Sequence, residues 1–372
     1  MKTVCRQDMC AGCMACIEIC PRNAIQIKDD LKSYNAVIDE SICVNCGLCE
    51  RVCPNLNEND FKEPIIWKQG WSLDEDIRKN SASGGIAATI QRTFFNNGGN
   101  VCSCFFENGE FKFGFAKTLE DIKKFSGSKY VKSNPLGVYK PIKEKLKNGE
   151  KVLFAGLPCQ VAAAKNFVGK NLEKNLYTVD LICHGTPSPK ILELFLDKTK
   201  IQLSKLEDIK FRKNHLYQLF INGKSLGIEG ASDSYSRAFL NTLILTENCY
   251  NCQYARRERN SDITLGDSWG SELPINEQKK GVSLVLVQTE KGKKLLRDLE
   301  VELRDVDLER TVLYNLQLKT PSKKPYNHSK FFRLLKNTGN YNRAFRVVMF
   351  NDFMKTQIKS ILILLRILKI DS

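Results

Sequence analysis

The chain has 372 residues, 42% of them apolar, and a formal net charge of +15. That length suggests two or three domains, and the composition fits a soluble globular protein. The opening "MKTVCRQDMC" lacks the apolar core of a secretory signal, and no stretch approaches roughly eighteen uninterrupted apolar residues, so neither export nor a membrane-spanning helix is expected. Fifteen cysteines in such a chain read as metal ligands in a reducing cytoplasm, not as a disulfide frame. The basicity is concentrated: residues 321–372 hold eleven Lys and Arg against two Asp, a net of +9.

Two related runs open the chain, "CAGCMACIEICP" at 10–21 and "CVNCGLCERVCP" at 43–54. Each reads C-x2-C-x2-C-x3-C-P. Three thiolates at that spacing cap an iron–sulfur cube from one side, and the fourth lies too far round and ligates the other cluster. Cys10, Cys13, Cys16 and Cys53 are therefore expected to hold one [4Fe–4S] cluster, and Cys43, Cys46, Cys49 and Cys20 a second. Gly12 and Gly47 suit bends near the ligands, and Pro21 and Pro54 interrupt regular hydrogen bonding after the fourth cysteine. Structural zinc is the competing reading, but zinc knuckles have no need of a third cysteine three residues on. Cys5 lies outside both runs and reads as a spare thiol. Residues 1–56 resemble bacterial two-cluster ferredoxins.

The polar stretch 55–65, "NLNENDFKEPI", reads as a linker. Beyond it, strand and helix patterns alternate. A helix is expected over about 85–96, with Ser83 as its N-cap and Gly98 as its stop. Strands follow at 100–107 and 111–116, then a helix at 118–125 capped by Thr118. The run 151–156 is a buried strand leading into a helix, "LPCQVAAAKNF", and 176–185 is another, leading into "SPKILELFLDKTK". Further strands are expected at 261–267 and 281–289, the latter followed by a helix at 290–299. This alternation predicts an α/β domain with a mainly parallel sheet over about 65–320. The class is α/β (α+β overall): a small ferredoxin-like domain at 1–56, the larger domain, and a basic helical tail at 321–372.

Several constellations in the large domain carry chemistry. In "FAGLPCQVAA", Pro158 suits a first helical turn, and the N–H groups and dipole there favour a thiolate at Cys159. In "VDLICHG", Cys183 and His184 close the next strand; both cysteines fall at carboxyl ends of strands, where open α/β sheets place ligands. "CYNC" adds Cys249 and Cys252. These four thiols are candidate ligands of a third [4Fe–4S] cluster. Ordinary buried cysteine, zinc, and a catalytic Cys159 with His184 as base stay open beside it. Cys102 and Cys104 share a strand face, where packing is the better reading. "NSASGG" at 80–85 suits a phosphate or pyrophosphate at a helix N-terminus, or simply caps the helix. "SGSKYVKSN" at 126–134 brings Lys129 and Lys132, suited to anions or to a solvated loop. "DITLGDSWG" places Trp269 to stack on a planar ring or to fill core.

Taken in order, "SASGG", "GSKY", "GLPCQ", "CHG" and "CYNCQYARRERNSDITLGDSWG" resemble motifs of the family of coenzyme F420 hydrogenase/dehydrogenase beta subunits, from about 65 to 320, behind a fused two-cluster ferredoxin. The resemblance implies an FAD-binding iron–sulfur oxidoreductase. The flavin would lie near Ser81, Ser83, Gly84 and Gly85, with Lys129 and Tyr130 close by. The resemblance also supports a cluster on the large domain's cysteines. Lys129 is then the candidate for stabilising an anionic reduced flavin or its phosphate, and His184 for supplying a proton, a structural histidine being the alternative. His215 and His328 carry no partner motif, and no G-x-G-x-x-G fingerprint indicates a Rossmann-type nicotinamide site.

The leading function is a flavin- and cluster-dependent oxidoreductase acting on a two-electron organic substrate, F420-like or a biosynthetic intermediate. The alternative is a non-catalytic electron-transfer protein that feeds a redox partner. A cluster-bearing nucleic-acid-binding protein comes third, since no binding motif supports it, and no nucleic-acid partner is expected. In the tail, 354–370 is apolar with Lys355, Lys359, Arg366 and Lys369 at helical spacing. It reads either as an amphipathic helix in a membrane interface, giving a cytoplasmic protein peripheral at the inner face, or as a helix packed on the body or on a partner.

Overall fold

The computed structural model describes residues 2–213 and 216–368; His215 and Lys369 lie outside the described residues. The N-terminal unit pairs β1 (Ile25–Asp29) with β2 (Tyr34–Ile38) in an antiparallel hairpin, flanked by the short helices Ala15–Ile19 and Leu48–Val52. The two cysteine runs bend alike. Gly12 and Asn45 hold matching positions with φ of 70° and 50°, and so do Met14 and Gly47, at 60° and 71°. Each loop thus turns its backbone inward, and Gly12 donates its N–H to the Cys10 Sγ at 3.4 Å.

The large sheet is built from β3 (Ile66–Ser72), β4 (Asn100–Glu107), β5 (Glu110–Phe115), β6 (Val152–Ala155) and β7 (Leu176–Leu181). After the small three-stranded sheet β8 (Ile209–Lys210), β9 (Phe220–Ile221) and β10 (Lys224–Ser225), it continues with β11 (Ile263–Asp267), β12 (Ser283–Val287) and β13 (Val301–Arg304). The strand order is β13-β3-β12-β11-β7-β6-β4-β5. β4, β6, β7 and β11 run parallel, while the remaining neighbours pair antiparallel. The sheet is therefore mixed where a mainly parallel one was expected. Asn108 and Gly109, at φ of 53° and 83°, close β4 onto β5 in a two-residue hairpin, which reverses the chain directly.

Both faces of the sheet are covered. In β6 every residue is buried. Val152 and Phe154 join one core, with Tyr139, Ile142, Val161 and the apolar side chains of the N-terminal unit. Leu153 and Ala155 join the opposite core, with Ile86, Ile90 and Ile122. Such a continuous apolar run suits a strand covered on two sides. The N-terminal unit is thus part of a shared core. Its contacts are also polar: the Tyr139 hydroxyl donates to the Cys13 carbonyl at 2.6 Å and Ser188 Oγ to Asp29 at 2.6 Å. The expected linker is tied down. Asn57 Nδ2 donates to the carbonyls of Glu50 and Cys53, and Asn59 accepts from the Tyr254 hydroxyl at 3.1 Å.

A third core joins the helices Pro189–Leu196, Ser234–Leu240, His328–Thr338 and Tyr341–Val348, with Phe331, Leu335, Tyr341 and Phe345 buried in it. Only the last helix, Phe350–Leu364, leaves most of its apolar side chains exposed.

The first cavity-facing helix is Ile86–Asn96, and its N-cap is Gly85 at φ 85°, not Ser83. Ser83 Oγ donates instead to the Val282 carbonyl at 2.8 Å, tying the loop to β12. Thr118 caps its helix as expected, in a capping box with Asp121.

Candidate functional site

The carboxyl ends of β6, β7 and β11 share one edge, and the expected cysteines gather along it. Cys159 is the second residue of the helix Pro158–Val168 that follows β6, and Cys183 lies two residues past β7. With Cys249 and Cys252 they line one cavity of about 50 Å³. Its far wall is supplied by Met9, Ala11 and Asn55 of the N-terminal unit. Beyond Ala11 lies a smaller cavity lined by Cys10, Cys13, Cys16 and Cys53. Cys5 lines it too, so this thiol is a neighbour of the first ligand set and not a remote spare. Cys20, Cys43 and Cys49 are half-buried and Cys46 is exposed, which puts the second set at the surface.

Burial pushes the thiols of Cys13, Cys16, Cys159 and Cys183 well up, and that of Cys252 up to about 11. At Cys159 the helix N-terminus does not outweigh burial, contrary to the expected thiolate. Such thiols ionise by coordination, because a bound metal replaces the proton. Among the described residues no three His, Cys, Asp or Glu side chains close round a single ion. A cube is a larger body bound at its corners, so its thiolates stand apart around a space.

The charges on the walls fit an anionic occupant. Lys132 and Arg259 line the four-cysteine cavity and are 5% and 1% exposed. Arg259 Nη1 lies 4.0 Å from Asp180, while its Nε and Nη2 have no hydrogen-bond partner among the described residues. An orphaned buried guanidinium at a thiol-lined cavity is what a thiolate-bound cluster would satisfy. Thr186 also directs its N–H to the Cys249 Sγ at 3.4 Å.

Leu157, Cys183, His184, Gly185 and Thr186 form a wall shared with a second, much larger cavity of about 550 Å³. Ser81, Ser83, Gly85, Lys129 and Tyr130 all line it, as does the first turn of the helix Ile86–Asn96, whose N–H groups have no partner within the helix. Gly84 does not line it. A Cβ there would stand 2.3 Å from the Gly70 carbonyl, so Gly84 packs the loop against β3. The hydroxyls of Ser81 and Ser83 are spent on the Ile77 and Val282 carbonyls, which leaves the backbone as the part of the loop offered to a ligand. Tyr130 stacks on Phe239 at 4.5 Å with 13° between the rings. A roomy cavity with apolar and aromatic walls and a glycine-serine loop at a helix N-terminus fits a dinucleotide with a planar ring.

Two expected roles change. Lys129 Nζ donates to the carbonyls of Lys124, Phe125 and Ser126 at 3.3, 2.8 and 2.9 Å, so its ammonium caps a helix end while its stem lines the cavity. Burial lowers its pKa. His184 Nε2 lies 3.2 Å from the Phe239 carbonyl and Nδ1 lies 3.3 Å from Gln317 Nε2. These partners assign a neutral ring with both nitrogens engaged, and burial holds its pKa down. That arrangement offers no free proton, so His184 does not serve as the expected donor. Lys132, grouped with Lys129 in the sequence, points instead to the cysteine cavity. One functional group was missed: Arg212 donates to Asp267 at 2.7 Å, and its guanidinium lies 4.7 Å from the Tyr217 ring and 5.8 Å from that of Trp269. All four line the large cavity. Asp267 and Trp269 sit in a legible motif, but no local spacing announces Arg212 or Tyr217.

Comparison with known proteins agrees with this arrangement. The family model for the C terminus of the coenzyme F420 hydrogenase/dehydrogenase beta subunit matches residues 149–308, and that of the 4Fe-4S dicluster domain matches residues 9–56. The chain belongs to the family of coenzyme F420 hydrogenase/dehydrogenase beta subunits, behind a 4Fe-4S dicluster domain. It is an iron–sulfur protein of an oxidoreductase family. Over 191 residues it is 27% identical to one subunit of the F(420)H(2) dehydrogenase of Methanosarcina mazei, covering 48% of this chain and 54% of that protein. Over 326 residues it is 23% identical to the coenzyme F420-dependent sulfite reductase of Methanocaldococcus jannaschii, covering 79% of this chain and 46% of that protein. The matches thus span about half the length of these curated relatives. Among solved structures, a chain of the F420-reducing [NiFe] hydrogenase complex from Methanosarcina barkeri superposes with a TM-score of 0.47 at 19% identity, covering 73% of this chain and 100% of that one. Among the described residues no helix of this family member is long and apolar enough to cross a membrane.

Proposed function

We propose that this protein is a flavin- and iron–sulfur-dependent oxidoreductase acting on a deazaflavin of the F420 type or a comparable two-electron organic substrate. The observation that carries the reading is adjacency. The four-cysteine cavity shares one wall with the N-terminal cysteine loop and another with the 550 Å³ cavity. The proposed division is 1–56 for the two-cluster unit, 65–320 for the flavin and third-cluster unit, and 321–372 for the basic helical segment.

Cys10, Cys13, Cys16 and Cys53 would hold one cluster, Cys43, Cys46, Cys49 and Cys20 the second, and Cys159, Cys183, Cys249 and Cys252 a third. FAD would occupy the large cavity, held by the backbone of the loop from Ser81 to Gly85 and the Ile86–Asn96 N-terminus. A bound flavin exchanges electrons in pairs with an organic substrate and singly with iron–sulfur clusters. The residues of this chain shape that chemistry. Lys129 contributes a fixed positive charge behind the cavity wall. Tyr130 and Phe239 supply a flat apolar face, and the neutral His184 spaces the cavity from the third cysteine set. Arg212, stacked beside Trp269 and oriented by Asp267, is placed to meet an anionic substrate group.

Oxygen-free preparation of the full chain tests this. The expected material contains flavin and about twelve iron atoms per chain, from three four-iron clusters. Its flavin absorbance should bleach on adding reduced F420. Clusters without flavin would overturn the enzyme reading. Flavin that no small substrate bleaches, yet that exchanges electrons with a partner protein, would establish the non-catalytic electron carrier instead. The exposed apolar side of the Phe350–Leu364 helix, beside Lys355 and Lys359, favours a peripheral seat on an anionic membrane surface for this cytoplasmic protein.

A further inference from the structure

We propose that Lys132 is an electrostatic bridge between the first N-terminal cysteine site and the four-cysteine cavity, raising the reduction potentials of both. The inference rests on the cluster assignments of the proposed function. Lys132 is buried, and its ammonium donates to the Ala11 carbonyl at 3.0 Å. Ala11 lies between Cys10 and Cys13 and lines both cysteine cavities. Lys132 itself lines the four-cysteine cavity. Its cation sits 5.2 Å from the Tyr34 ring, and its backbone N–H is pinned to the Pro187 carbonyl at 2.9 Å.

The chain makes room for this placement. A Cβ on Gly12 would stand 2.8 Å from the Lys132 Cδ and 2.9 Å from Tyr34. Among the described residues no carboxylate pairs with Lys132, and its hydrogen-bond acceptor is a single carbonyl. A cation buried without a counter-ion is costly unless something nearby is anionic. Thiolate-bound clusters on either side are such groups. Reduction adds a further negative charge to a cluster, so a fixed cation between two clusters stabilises the reduced form of each. Arg259 lines only the four-cysteine cavity and should act on that cluster alone. The set with exposed Cys46 lies away from Lys132 and serves as an internal control.

Lys132→Met and Lys132→Gln in the full chain, prepared without oxygen, test the bridge by iron content and EPR-monitored redox titration. We expect full iron content and a fall of about tenfold in the reduction constants of the two flanking clusters, ~59 mV for a one-electron couple. The surface cluster should move much less, and Lys132→Arg should restore both values. Lys132→Gln keeps a donor for Ala11, so it separates charge from packing if the Met variant fails to fold. Unchanged midpoints with full iron would overturn the proposal. So would iron loss without a potential shift, or an Arg variant that behaves like Met. A wild-type chain with only two clusters would sink the third-cluster assignment, while the Cys10–Cys53 cluster would still report on Lys132.

Discussion

The Glu18 carboxylate accepts the backbone N–H groups of Gly137 and Lys140 at 2.7 and 2.6 Å. Glu18 stands between Cys16 and Cys20, and the donors open the helix Tyr139–Lys147. The N-cap of that helix is Val138, whose side chain offers no oxygen. A residue of one cysteine loop thus caps a helix of the large domain, where a negative charge also meets the positive end of the dipole.

Glu18→Ala should therefore lower stability by about 1–3 kcal/mol, the usual cost of orphaning buried donors bonded to a charged group. Glu18→Gln should lose less, because one amide oxygen remains. Denaturant unfolding of the cluster-loaded protein measures both. Equal stability of Glu18→Ala and wild type would show that apolar contacts alone seat the N-terminal unit.

The cysteines divide into two groups with opposite expected outcomes. Cys252→Ser or Cys183→Ser should remove about four iron atoms per chain, one cluster's complement. Cys102→Ala should leave iron unchanged, since Cys102 is fully buried on β4 and belongs to the apolar core. Its cost is a small cavity and about 1 kcal/mol. Cys5→Ala should also retain iron, because the C-x2-C-x2-C-x3-C pattern already supplies four ligands. Loss of iron from the Cys5 variant would assign that thiol to the first cluster.

These contrasts follow how far local patterns reach. The repeated cysteine spacing named its ligands because both loops encode the same bend, visible as Gly12 beside Asn45 and Gly47 beside Met14. The helices after Pro158 and Thr118 were legible from their first turns, and "VLFA" from its unbroken apolar run. Asn108-Gly109 was an equally local hairpin signal that went unread, so the antiparallel β4–β5 pairing came as a correction. Other features have no local signature. Arg212 meets Asp267 from 55 residues away, and Lys132 finds Ala11 across 121 residues. Ser83 looked like a cap because its type is right. The chain there needed φ above zero two residues later, which Gly85 supplies at no steric cost.

That position supports a sharp test of the large cavity. Gly85→Ala forces a side chain into a left-handed conformation, with its Cβ 3.1 Å from Ile77 and 3.3 Å from Arg78 and Ser72. The expected cost is about 1–2 kcal/mol, with flavin retention falling severalfold. Gly98→Ala is the control: its φ is +75°, but its surroundings are open and it lies outside the cavity. It should lose comparable stability and keep its flavin. Equal flavin loss in both variants would argue that the effect is global.

His328 should make stability depend on pH. It is buried between Tyr250 and Phe332, at ring distances of 5.2 and 4.7 Å, with Glu247 4.0 Å away. Burial pushes its pKa down to about 4, against the attraction of Glu247 and with the help of Lys324. The unfolded chain, near 6.5, therefore binds the extra proton first as pH falls. Stability is fully present above about 6.5 and is lost between there and about 4, by up to ~1.4 kcal/mol per pH unit. His328→Phe should flatten this slope in unfolding titrations at matched ionic strength. A slope that persists unchanged would assign the acid sensitivity to other groups.

The last helix gives the test of the membrane seat. Phe350, Met354, Ile358 and Ile361 recur at helical spacing and are all exposed, with Lys355 and Lys359 beside them. An interfacial helix of this kind draws on both buried apolar area and attraction to anionic lipid. The protein should co-sediment with vesicles rich in phosphatidylserine, and several times less with neutral vesicles. Ile358→Asp together with Ile361→Asp should abolish binding while leaving the iron content intact, because neither side chain is buried. Raising salt should weaken binding without removing it, since the apolar contribution survives screening. Binding that is indifferent to lipid charge and to both substitutions would remove the helix from the interface and leave it to pack against a protein.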